Sequence, residues 1–222
     1  MSDRPVHVHI QELSQVLVDI SARLIKNLFD ALCAVKYQDE HSVPRFKLVE
    51  NELDMEEIDL EKQCIEFIAL QQPVAKDLRT IVAIMMISDE LERIGEISLG
   101  IIDSMLAITP DMLELLEFEP MVMLASEMLK KSIDAFVVQN HDLAHEVCAH
   151  DDDVDAMHRT VFKKVTALMK TAGADVNQLI NALNVSRDIE RMADHASKIA
   201  EEVVYLVTGQ LVTHKHSHDN LL

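Results

Sequence analysis

The sequence predicts an all-α protein made of two pseudo-symmetric three-helix bundles, six long antiparallel helices in all. Composition is the first observation. Aromatic residues are 4% of the chain, with no Trp, 4 Gly and 12 Met, whereas strands favour aromatic and β-branched side chains. The second is periodicity, because apolar residues recur at helical spacing almost end to end. The third is an internal echo: "DELERIGE" at 89–96 returns 98 positions later as "RDIERMAD" at 187–194. The 222 residues, 49% of them hydrophobic, suffice for one large domain or two of about 100 residues each.

The first helix is carried by Leu13, Leu17, Ile20, Leu24, Leu28, Ala31 and Val35, which step by four and three along one stripe. "KYQDEHSVPR" breaks it with polar residues and Pro44. The second helix, about 45–71, is acidic on its outer face and ends at "QQP", where Pro73 suits the first turn of a third. That third helix takes its apolar stripe from Leu78, Ile81, Val82, Met85, Leu91 and Leu99 and stops near "ITPD" at 108–111. Thr109, Pro110 and Asp111 read as a cap with Pro inside the first turn of the fourth helix, which is bent early by Pro120 and runs to about Val138. "QNHD" at 139–142 separates it from a fifth helix ending near Lys170, and "TAGAD" at 171–175 makes a Gly-containing turn. The sixth runs from Asp175 to Thr208 and closes at Gly209, a natural C-cap. Helices this long with short connections pack as antiparallel bundles.

The echo divides these helices three and three. "ISDELERIGEISLGII" (87–102) aligns with "VSRDIERMADHASKIA" (185–200) without a gap. On the preceding helices "ENELD" (50–54) matches "DDDVD" (151–155) in acidic pattern at an offset of 101, so the second connection is three residues shorter. The expected organisation is one repeat over residues 1–108, a second over 109–210, and a His-rich tail over 211–222. The tail, with His214, His216 and His218 alternating, reads as a frayed terminus rather than a metal arm.

A net charge of −19 argues against a nucleic-acid binder, since phosphate backbones require Lys and Arg patches. It suits cation binding or a basic protein partner. Cys33, Cys64 and Cys148 lie far apart in apolar-periodic segments and read as small buried hydrophobes in a reducing cytosol. "MSDRPVHVHIQELSQ" has no apolar signal region, and the longest apolar run, "IVAIMMI" at 81–87, falls short of the roughly 20 residues that cross a bilayer. The chain is therefore expected to be soluble and cytoplasmic, reaching a membrane only through partners.

Helical geometry gives the repeated phrase its chemistry. Residues four apart differ by about 40° around the axis and residues eleven apart by about 20°. Glu92, Glu96 and Asp103 therefore share a face, as do Glu190, Asp194 and Glu201. On the preceding helices Glu50, Asp54 and Glu57 share one, as do Asp151, Asp155 and His158. Like charges at this spacing repel by a few tenths of a kcal/mol per pair, so four such stripes, paired by the repeat, invite a compensating cation. Oxygen-rich sites suit Mg²⁺, Mn²⁺, Ca²⁺ or iron, and facing helices of a bundle can aim them at one ion. Solvated charged faces have the same spacing. Arg93 and Arg191, each next to a motif Glu, read as salt-bridge partners of neighbouring acids.

"IALQQPVAKDLR" at 68–79, "LERIGE" at 91–96 and "IERMADHASKIAEEVVYLVTGQ" at 189–210 resemble the PhoU family of bacterial phosphate-signalling accessory proteins, over almost the whole chain to Gly209. The resemblance implies two pseudo-symmetric three-helix bundles, a homodimer, and metals, iron clusters among them, on E(D)xxxD motifs. Carried over, that motif falls on Glu92 and Glu96 and on Glu190 and Asp194, with Glu50 and Asp54, then Asp151 and Asp155, on the partner helices. It also implies a brake on phosphate uptake and the phosphate-starvation response, exerted between the ATPase subunit of the phosphate ABC transporter and the sensor kinase PhoR. The chain departs from the family pattern in two respects. Glu96 stands where Asp is usual, and Lys198 and Gly100 stand where the family has Asn. A Lys there offers a carboxylate a salt bridge in place of metal.

A regulatory adaptor that binds Fe, Mn or Mg is thus the expected function, and catalysis is not. A carboxylate-bundle hydrolase or oxidase would need His three residues after a motif Glu, where Gly95 and Ala193 stand. The alternatives are a metal buffer or metal-stabilised dimer, and an accessory of a sodium–phosphate cotransporter. The 4 glycines form no phosphate cradle.

Overall fold

The computed structural model of the chain describes residues 5–36, 41 and 43–210; the His-rich tail expected at 211–222 lies outside them. The helices are α1 (Pro5–Lys36), α2 (Val43–Gln71), α3 (Ala75–Leu106), α4 (Pro110–Leu116), α5 (Phe118–Val138), α6 (His141–Leu168) and α7 (Val176–Thr208). Six are long, as periodicity requires. The extra one arises because the expected bend is a break: Glu117 turns left-handed at φ +56°. Pro120 sits three residues on, and its ring would strike the carbonyl of Leu116 in a continuous helix. Pro73 also falls outside α3. Gln72 (φ +47°) ends α2, and Val74 is the N-cap of α3.

Elsewhere the helix ends follow side-chain chemistry. Asn140 Oδ1 accepts from the Asp142 and Leu143 amides at 2.9 and 3.2 Å, and Asp175 Oδ1 from those of Asn177 and Gln178 at 3.0 and 3.3 Å, which satisfies donors that a helix N-terminus leaves orphaned. Gly209, at φ +70°, donates to the Tyr205 carbonyl and closes α7. Thr109 caps less directly: its amide and Oγ1 both donate to Gln178 Oε1, which ties α4 to α7.

Helices α1, α2 and α3 pack on one another, and so do α5, α6 and α7. The most extensive contact joins α3 to α7, the two helices that carry the repeated phrase; α1 against α5 is the lesser link. Leu91, Ile94 and Ile101 of α3 and Val185, Ile189 and Met192 of α7 are wholly buried, each worth about 1.5–3 kcal/mol. Across this seam His195 Nδ1 meets Glu90 Oε2 at 2.5 Å.

Not every apolar position went inward. Leu78 and Val82, expected in the buried stripe of α3, are 37% and 36% exposed. They lie on a second row at i+4 spacing, turned away from the row that holds Ile84, Ile87 and Leu91. Cys64 and Cys148 are buried as expected, and burial pushes each thiol up to about 12. Cys33 is instead exposed. No helix among the described residues is long and apolar enough to cross a membrane.

Candidate functional site

In the first repeat α2 and α3 run antiparallel with their acidic stripes facing. The two helices come close at Gly95, where an added methyl would lie 3.2 Å from Glu50 Oε1, so a larger residue there would push the carboxylate aside by a few tenths of an ångström. Burial, then Asp54, Glu96 and Glu92, push the Glu50 carboxyl above its ordinary 4.5. Burial, Asp54, Asp89 and Glu96 do the same to Glu92. Glu50, Asp54, Glu92 and Glu96 are thus brought together. The nearby cations are engaged with other acids: Lys47 with Asp103 at 3.0 Å, Arg93 with Asp89 at 3.3 Å and Arg23 with Glu52 at 3.2 Å.

Glu57 is the most perturbed member. It is only 6% exposed, and burial, followed by the charges of Glu92, Asp54 and Glu50, pushes its carboxyl up to about 8. The sequence placed Glu57 on the acidic face of α2 but gave no sign that it would be buried.

In the second repeat the α6 and α7 stripes meet at two levels. Ser197 Oγ donates to Asp151 Oδ1 at 3.2 Å, and His158 Nδ1 lies 2.9 Å from Ser186 Oγ. Glu190 and Asp194, half-buried, share that face of α7 between the two contacts. Asp155 pairs with Arg159 at 3.3 Å. Burial holds His158 below its ordinary 6.5, against the opposing pull of Asp155. Arg191 reaches Asp188 at 3.4 Å.

The offsets of the repeat make Glu57 the counterpart of His158 and Ser88 the counterpart of Ser186. The second copy joins its two residues by a hydrogen bond. In the first, Ser88 Oγ is buried with no partner, and Glu57 and Ser88 both line a cleft of about 330 Å³. Its floor includes Ile58, Met85 and Met86, and its carboxylates are Glu57, Glu61, Asp89, Glu90, Glu92 and Glu202. No Lys or Arg is among these described lining residues. Burial, then Glu201 and Glu90, raise the Glu202 carboxyl. Sequence reasoning missed Ser88, Glu90 and Glu202. Aligning the two copies one helix earlier points to the Glu57–Ser88 level; the contributions of Glu90, His195 and Glu202 cross between repeats and have no local signature.

The donor chemistry fits a hard cation: the first cluster offers carboxylate oxygens held against their own repulsion, the ligands that Mg²⁺, Mn²⁺ or iron take. As the side chains stand, no three His, Cys, Asp or Glu among the described residues are gathered closely enough to grip an ion, so Glu50, Asp54, Glu92 and Glu96 would have to change rotamer to do so.

An internally duplicated, all-helical bundle with facing carboxylate stripes defines the class. The PhoU domain family model matches it twice, over residues 17–105 and 118–203, and the chain belongs to the PhoU family. It is 32% identical to the phosphate-specific transport system accessory protein PhoU homolog of Clostridium acetobutylicum over 206 residues, 91% of this chain and 94% of that one. It is 28% identical to PhoU homolog 1 of Thermotoga maritima, over 92% of this chain and 91% of that one. Among solved structures, the phosphate transport system regulatory protein PhoU of Streptococcus pneumoniae superposes with a TM-score of 0.86 at 26% identity, covering 94% of this chain and all (100%) of that one.

Proposed function

We propose that the protein is a PhoU-like negative regulator of phosphate uptake and of the phosphate-starvation response. It acts as a cytoplasmic adaptor between the ATPase subunit of a phosphate ABC transporter and a PhoR-type sensor kinase, works as a homodimer without catalytic turnover, and carries Fe, Mn or Mg on its acidic faces. The observation that supports this most is the double family match, one per repeat, to proteins named accessory to the phosphate-specific transport system. Cohesive support comes from the facing acids of α2 and α3, which suit a cation or a basic partner surface and would speed encounter with the latter.

The test is genetic. A deletion strain should express phosphate-responsive genes constitutively in high phosphate, and the parent gene should restore repression. Unchanged repression in the deletion strain would favour the metal-buffer or cotransporter readings instead.

A further inference from the structure

The outward row of α3 continues past the cleft. Val74, Leu78, Val82 and Met86 follow one another at four-residue steps and are 74%, 37%, 36% and 44% exposed. Residues four apart lie nearly one above the other on a helix, so Leu78, Val82 and Met86 form one apolar ridge about two turns long, and Val74 stands just beyond its end as the extended N-cap residue. Ile58 of α2, 38% exposed, lines the cleft beside Met86, and Ile65, 52% exposed and about two turns further on, shares its face of α2. The acids begin at that cleft. The surface is therefore graded, apolar towards the α2–α3 turn and anionic at the other end.

We propose that this α2–α3 surface docks an amphipathic basic helix of a partner protein, with apolar side chains on the Leu78–Met86 ridge and a Lys or Arg reaching into the cleft. The inference rests on the adaptor reading above and specifies its contact surface. Charge complementarity selects the occupant. Six carboxyl groups line one end; Asp89 is paired with Arg93 and Glu90 with His195, no Lys or Arg lies among the described lining residues themselves, and the buried Ser88 hydroxyl offers an acceptor with no intramolecular partner. The second repeat fills the matching level with His158 on Ser186, so the vacancy belongs to one copy only. An anionic lipid surface would be repelled by the same acids. Methionine is the side chain suited to such a floor, because its unbranched thioether adapts to varied apolar shapes.

The probe is a labelled Leu/Lys peptide of about 18 residues, five helical turns, compared with a scrambled peptide of the same composition whose leucines do not share a face. Binding is read by fluorescence anisotropy at about 0.15 M salt, on the parent and on Val82→Asp/Met86→Asp. That double variant adds negative charge, which strengthens any purely electrostatic capture of the peptide. The expected result is about tenfold tighter binding of the amphipathic than the scrambled peptide, and about tenfold weakening in the variant. Val137→Asp/Val138→Asp, at exposed apolar positions of α5, should bind like the parent. If Val82→Asp/Met86→Asp loses its helical circular dichroism, Leu70→Ser/Val74→Ser at the exposed α2–α3 turn replaces it, with a loss of about threefold expected. Equal affinity for the two peptides, or undiminished binding by the ridge variant that folds, overturns the proposal. In the deletion strain, a parent gene that fails to restore repression sinks the adaptor reading. A parent that restores it alongside a ridge variant that restores it equally sinks the docking surface alone.

Discussion

Replacing Glu57 by Gln removes an ionisation that the fold opposes. The side chain is 6% exposed, and its carboxyl is raised from 4.5 to about 8 by burial and by Glu92, Asp54 and Glu50. The folded protein thus holds the proton more tightly than the unfolded chain does. For a raised carboxyl, the stabilisation is complete below the unfolded value near 4.5 and is lost as pH rises through about 8. Across that window the parent should lose about 1.4 kcal/mol per pH unit relative to Glu57→Gln, which cannot ionise. At pH 7 the relative loss is on the order of 3 kcal/mol, with a ceiling near 5 kcal/mol above pH 8. For a chain of this size, 1 kcal/mol moves Tm by about 2–4 °C. The assay is urea unfolding of both proteins in chelator-treated buffer at half-unit steps from pH 5 to 9. The Gln variant should lie within about 1 kcal/mol of the parent at pH 5, gain on it with pH and level off above pH 8. A stability difference that stays constant across the range would refute the burial argument. Added Mg²⁺ or Mn²⁺ that selectively stabilises the parent at high pH would show the repulsion being relieved by a cation.

Two further outcomes are expected. Purified protein should contain Fe, Mn or Mg by elemental analysis, less in Glu92→Ala/Glu96→Ala and in Glu190→Ala/Asp194→Ala, and equal content in all three would remove the metal assignment. Asn140→Ala should cost about 1 kcal/mol, read as a fall in Tm of about 2–4 °C, because the Asp142 and Leu143 amides lose the acceptor they share.

The parts of the fold that sequence makes legible are those set by local physics. The apolar stripe Leu13–Leu17–Ile20–Leu24–Leu28 is buried throughout α1, because the spacing of apolar residues leaves a long helix one way to hide them. Gly209 and Asp175 mark the ends of α7 by the same logic, one through its φ and the other through its side-chain acceptor. Pro120 signalled a disturbance, but its place depended on which upstream carbonyl the ring would meet, and so the break fell at Glu117. Leu78 and Val82 show what periodicity cannot decide. Two apolar rows run along α3, and only packing against α7 and α1 selects which one is covered. Cys33 is misplaced for a similar reason, as apolar neighbours in sequence do not say which way a side chain points near the end of α1. In the site, the facing of Glu50 and Asp54 towards Glu92 and Glu96 follows from helical angles and the antiparallel hairpin. The burial of Glu57 and the approach of Glu202 depend on side-chain packing and on how the repeats are joined, which no window of sequence contains.

The duplication explains why the two halves need not act alike. The α3–α7 contact is built from buried apolar residues such as Leu91, Ile94, Ile189 and Met192, whereas positions 57 and 158 stand on α2 and α6. Position 57 and its counterpart 158 are therefore free to differ. The second repeat places His158 there, held neutral by burial and bonded to Ser186, which closes its groove internally. The first places a carboxyl there beside a hydroxyl with no partner, in a cleft that gathers further acids from α3 and from α7. Ionising Glu57 among these acids lowers stability, and an external positive group offsets that cost. The cation, whether an ion or the side chain of another protein, would thus be bound unequally by the two copies. Glu57→His, which gives the first groove the chemistry of the second, should raise stability in the absence of ligand and weaken capture of a basic helix. The same variant leaving both quantities unchanged would mean that the asymmetry between the grooves has no energetic content.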